Sequence, residues 1–224
     1  MNLFNFSLPE LLIRVPVVLF SLMIHEVAHG YIAYRLGDPT ARSLGRLTLN
    51  PLKHLDPIGA LCMVLFHYGW AKPVPINTRY FRDPKRDMAL TALAGPMSNL
   101  ILAFAGVVVY YITAITVSFL PAPTGFALNV FEAWSMFLSV LISLNVTYCV
   151  FNMIPVPPFD GSRIFLSFLP PRYYFGIMRY ERYILIGFML LLWTKVLNGP
   201  ISWMVQSVMN IMFNAVGWVV SLFM

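Results

Sequence analysis

Charge is what this sequence has least of. Only 11% of its 224 residues are Asp, Glu, Lys or Arg, and just nine are acidic. A soluble globular domain carries about 25% charged residues, so an ordinary water-soluble fold is excluded. Cysteine is scarce too: Cys62 and Cys149 stand far apart in apolar runs, at no metal-ligand or redox spacing. That excludes a disulfide framework and a cysteine metal site, and leaves small buried residues as the reading. Internal repeats and low-complexity linkers are missing as well. No small-residue cleavage site follows the first apolar run, which therefore reads as a retained segment rather than a removable signal.

What fills the chain is apolar: 59% of residues are hydrophobic and the mean hydropathy is +0.74. Those values describe a polytopic membrane protein. The formal charge of +6 does not point to nucleic acid, because the basic residues are grouped between apolar segments. Nine of the 15 fall from Arg35 to Arg86 and four from Arg163 to Arg182, as the positive-inside rule arranges them.

A transmembrane helix needs about 20 mostly apolar residues. Spans are expected at about 8–36, 88–120, 129–154, 183–197 and 201–224, with Pro16 kinking the first and Asn198, Gly199 and Pro200 separating the last two. Between the first two lies a connecting region at about 37–87. Its first half reads as strands and turns, and its apolar stretch Ile58–Tyr68 is too short to cross, hence re-entrant or interfacial. The expected fold is an all-α polytopic membrane protein of about five spans, with a re-entrant segment and a small β element, in one membrane-embedded domain over 1–224. Keeping both basic loops in the cytosol then requires an external N-terminus and a cytosolic C-terminus. His67, beside Tyr68 and Trp70, reads as interfacial, and Trp193, Trp203 and Trp218 suit interface anchoring.

The chemistry starts at HEVAH, residues 25–29. His25 and His29 are four apart on one helix face, so both rings can reach one ion. Glu26 sits about 100° around the helix, placed to act as a general base without being a ligand. The competing reading, interhelical hydrogen bonding, is weakened by the cost of three ionisable side chains within a span. A catalytic zinc site takes three protein ligands. Asp160, in PVPPFDG, follows an apolar span and lies at the same membrane depth as the histidines, although P-F-D-G is also good turn chemistry. His54 could reach the metal as an inhibitory extra ligand, but a polar interfacial role is the simpler reading.

These motifs together, HEVAHG, AGPMSN (94–99) and NMIPVPPFDG, resemble the site-2 protease family of intramembrane metalloproteases. NPLKHLDPIG and GWAKPVPIN are similar to the joining segments of its compact branch, and the likeness covers roughly residues 20–170. The resemblance implies one zinc per chain held by His25, His29 and Asp160, with Glu26 activating water. It further implies that Asn152 binds the substrate backbone or the oxyanion, and that Asn99 lies near the site as a substrate-binding residue. Transmembrane proteins are the implied substrates, unwound and cut in the bilayer on the cytoplasmic side of the cell membrane. An edge strand in 42–80, limited by Pro73 and Pro75, would pair with the unwound substrate. The chain has no room for the PDZ or CBS domains of many relatives, so regulation is expected from membrane partners or a second copy. A metal or proton transporter is the alternative, weakened by Glu26 at the protease spacing and by the missing repeats.

Overall fold

The computed structural model describes residues 8–56, 59 and 72–222. Helices dominate: α1 (Leu8–Arg35), α2 (Thr40–Ser43), α3 (Pro84–Ser118), α4 (Phe126–Asn152), α5 (Asp160–Leu166), α6 (Pro171–Arg179), α7 (Glu181–Trp193) and α8 (Asn198–Ser221). Among the described residues four of them, α1, α3, α4 and α8, are long and apolar enough to cross a membrane.

Local sequence sets the ends of these helices. α1 stops at Gly37, whose φ of 111° no side-chain-bearing residue adopts readily. The Gly37 N–H donates to Tyr34 O and the Asp38 N–H to Ala33 O, so the last carbonyls are satisfied in a Schellman motif. α3 starts at Pro84, where a missing N–H costs nothing, and Asp83 caps it by accepting from the Lys85 and Arg86 amides at 3.2 Å.

The direction of each span follows from its contacts. Gly106 of α3 abuts Ile142 of α4, and Trp134 Nε1 donates to Thr113 Oγ1 at 3.1 Å, so α3 and α4 are antiparallel. Val17 of α1 packs with Val140 and Leu141, while Asn145 Nδ2 donates to Ser21 Oγ at 2.8 Å, so α1 and α4 run the same way. Along α3, Leu100 and Phe104 line a groove with Val208 and Met212, and Tyr111, further on, reaches the Phe213 carbonyl. α8 therefore runs parallel to α3. Its buried core joins Ala103 and Val107 of α3, Ile142, Val146 and Val150 of α4, and Met212 and Val216 of α8.

The fifth expected span, 183–197, is not confirmed by the packing. The helix there, α7, has 13 residues, about 20 Å at 1.5 Å per residue against a hydrocarbon core of about 30 Å. Had it crossed, α8 would have to run opposite to α3. The segment from Met153 to Leu197 begins and ends at the same end of the helix bundle.

The connecting region also differs from expectation. Among the described residues it forms α2 and two 3₁₀ turns, Pro51–Lys53 and Thr78–Tyr80, and no β-strand. Residues 72–77 form no regular element, and among the described residues their backbone meets neighbouring backbone through the Lys72 N–H to His54 O bond. Pro73 and Pro75 explain this, since each removes an amide a ladder would use. The expected re-entrant stretch at Ile58–Tyr68, with Cys62 and His67, lies outside the described residues except for Gly59.

Candidate metal centre

α1 presents His25 and His29 from one face of its C-terminal half, both buried. α5 begins at Asp160, directly after the proline-rich turn that leaves α4. The three side chains converge: His25 Nε2 and His29 Nε2 lie 3.1 and 3.2 Å from Asp160 Oδ2, and 3.0 Å from each other. One ligand atom from each can thus face a single ion. Burial alone would raise the Asp160 pKa, but the two imidazoles outweigh it and hold the carboxyl down to about 2. The donor set of two imidazoles and a carboxylate suits Zn²⁺ and leaves one coordination position for substrate or water.

The orientation of His29 is fixed from behind, because its Nδ1 lies 2.7 Å from the Thr91 carbonyl of α3. Donation to that carbonyl puts the proton on Nδ1 and leaves Nε2 free for metal. Gly95, one turn further along α3, makes room for both rings. A Cβ there would meet His29 Nε2 at 2.4 Å and His25 Cε1 at 2.5 Å. Gly161 is equally constrained, since its Cβ would fall 2.4 Å from the Met153 carbonyl oxygen. It lets the first turn of α5 dock on the end of α4 and so aims Asp160.

Glu26 is not in the ligand cluster. Its Oε2 accepts the Val74 N–H at 2.7 Å, bridging α1 to the extended stretch 72–77. That stretch is tied down along its length. Arg46 donates to the Lys72 carbonyl at 2.7 Å, and the buried Asp38 takes the Asn77 N–H at 2.6 Å. Pro73 and Pro75 flank the one amide that Glu26 uses.

The remaining expected residues are distributed as follows. Asn152 ends α4 beside the Asp160 loop, its Nδ2 donating to the Tyr148 carbonyl at 3.0 Å. Asn99 is wholly buried within the bundle rather than facing an open cleft. His54 is also buried, with Nε2 2.9 Å from the Thr48 carbonyl, and it does not join the ligand cluster. Cys149 is a free buried cysteine. Gly95, Gly161, Thr91 and the Val74 amide are the contributors that sequence reasoning passed over. Gly95 was signalled by its place in AGPMSN, four residues before Asn99, whereas a backbone amide or carbonyl carries no sequence signal.

With this geometry in view, the comparisons are specific. Residues 14–194 match the profile of Peptidase family M50. The "Putative zinc metalloprotease YwhC" of Bacillus subtilis is 38% identical over 193 residues, covering 84% of this chain and 83% of that one. A Mycolicibacterium smegmatis protein of like designation, Rip2, is 33% identical over 64% of this chain and 52% of its own. A Methanocaldococcus jannaschii relative, MJ0611, is 26% identical over 71% and 72%. No solved structure matches. The chain belongs to peptidase family M50, the site-2 protease family, as its motifs imply. It is a zinc metalloprotease with membrane-spanning helices, and the transporter alternative is not favoured.

Proposed function

We propose that this protease hydrolyses peptide bonds within or beside transmembrane segments of other membrane proteins, in the manner of regulated intramembrane proteolysis. The observation that carries the reading is the convergence of His25, His29 and Asp160 towards the C-terminal ends of two apolar spans. A site there meets its substrate inside or at the edge of the bilayer. The basic loops at Arg35–Arg86 and Arg163–Arg182 favour a cytoplasmic side for this end. With four spans, both ends of the described chain then fall on the opposite side. Membrane-protein substrates, and regulation by membrane partners or a second copy, are part of the same reading.

His25, His29 and Asp160 hold one Zn²⁺ per chain, which when bound supplies Lewis-acid activation of water and of the scissile carbonyl. Glu26 keeps Oε2 on the Val74 N–H, which leaves Oε1 to take the proton of the attacking water and deliver it to the departing amine. Asn152, turning from Tyr148, donates Nδ2–H to the substrate oxygen as charge develops on it. Unwound substrate backbone lies along residues 72–77, where Pro73 and Pro75 limit how far it pairs. The test is reconstitution of the full chain with a single-span membrane substrate. Wild type is expected to bind one zinc per chain and cut the substrate, and Asp160→Ala to lose both metal and cleavage. Undiminished zinc in Asp160→Ala would remove that residue from the site.

A further inference from the structure

The two histidines are supported unequally. His29 Nδ1 meets the Thr91 carbonyl, but the buried Nδ1 of His25 has no protein partner. One helical turn deeper, three other buried polar atoms share that condition: Asn99 Oδ1, Asn99 Nδ2 and Asn145 Oδ1. Both asparagines are 0% exposed, as is Ser21, which accepts from Asn145 Nδ2. Leaving a buried polar group without a partner is costly, and these sit among α1, α3 and α4 where bulk water does not reach.

Helix register brings them to one level of the bundle. Gly95 abuts the His25 ring, so Asn99, four residues on in α3, lies one turn below it. Ser21 lies one turn below His25 on α1, and Asn145 is bonded to it. Side chains tilt toward the N-terminus of their own helix. On antiparallel helices, His25 therefore leans down toward Ser21 while Asn99 leans up toward Gly95. A water needs two to four polar partners to be held in such a place, and these atoms supply them.

We propose that Asn99 and Asn145 hold a buried water that accepts the Nδ1–H of His25, so that the asparagine pair positions a metal-binding ring it never reaches directly. The water donates its hydrogens to Asn145 Oδ1 and Asn99 Oδ1, and the proton kept on Nδ1 leaves Nε2 to the ion. Asn99 is then a positioning residue sealed inside the bundle, not a substrate contact. The inference rests on zinc binding by His25, His29 and Asp160, so the test keeps the two apart.

The experiment is competition for zinc between a chromogenic chelator and the purified full chain in nanodiscs, read beside thermal unfolding of the metal-free protein. Asn99→Leu is expected to weaken zinc about 10- to 100-fold, the usual loss when an outer partner of a ligand is removed. Asn99→Ser, which keeps a hydroxyl and room for water, is expected to restore most of it. Zinc affinity within twofold of wild type in Asn99→Leu would overturn the proposal, even if apo stability changed, because it would leave Asn99 a purely structural role. Should Asn99→Leu fail to fold, Asn145→Leu carries the same expectation and the same refutation. A wild type that binds no zinc would instead sink the metal reading itself.

Discussion

His25 and His29 stand one turn apart, and what surrounds each ring decides whether the pair can serve one ion. On the α3 side the decisive neighbour is an absent side chain. Gly95→Ala would press a methyl carbon against the edges of both rings, well inside van der Waals contact, and overpacking of a tight site costs about 1–3 kcal/mol. The rings would have to part, so zinc affinity is expected to fall at least tenfold while the helices still form. Chelator competition measures it, and unchanged affinity would show that α3 can move aside. HEVAH was legible in the sequence because i, i+4 spacing on a helix is a local fact. Asp160 was legible through its proline-rich motif and its membrane depth, and Gly95 only as a member of AGPMSN, since which glycine meets a ring depends on how α1 and α3 are set against each other.

At the scale of elements, the extended stretch 72–77 bears most directly on catalysis. It contributes no side chain to Glu26, only the Val74 amide between two prolines. Val74→Pro deletes that donor, and the fixed φ of proline suits extended backbone. A hydrogen bond to a charged group is worth about 1.5–3 kcal/mol, so turnover is expected to drop about 10- to 100-fold with zinc content unchanged. Equal turnover in the variant would mean that Glu26 needs no such restraint. Sequence patterning suggested an edge strand here, and apolar alternation does exist. The prolines and the ties to His54, Asp38 and Glu26 take up most of its amides, so the stretch is a strap that offers a substrate mainly carbonyls rather than a full ladder.

For the whole molecule the open matter is which side each loop occupies. Hydropathy alone cannot separate a 13-residue buried or interfacial helix from a short span, and that is why α7 was counted as a fifth crossing. The parallel course of α3 and α8, visible only through packing such as Tyr111 on Phe213, favours four crossings among the described residues. Single cysteines at Arg82, Pro123 and Lys195, introduced in a Cys62→Ser, Cys149→Ser background, distinguish the two topologies with a membrane-impermeant thiol reagent. Arg82→Cys and Lys195→Cys are expected to label from one side and Pro123→Cys from the other. Labelling of Lys195→Cys together with Pro123→Cys would restore the fifth span.

The central claim, that this site cuts peptide bonds in the membrane through Glu26 and a metal held by its neighbours, is tested most directly by Glu26→Gln. The measurement is cleavage of a co-reconstituted single-span substrate, with cut sites mapped by mass spectrometry and zinc determined on the same sample. Loss of a general base costs about 10²- to 10⁴-fold. The expected result is wild-type cleavage within or beside the span, and full zinc occupancy with cleavage down by that factor in the variant. A Glu26→Gln protein that still cuts at the wild-type rate would contradict the account.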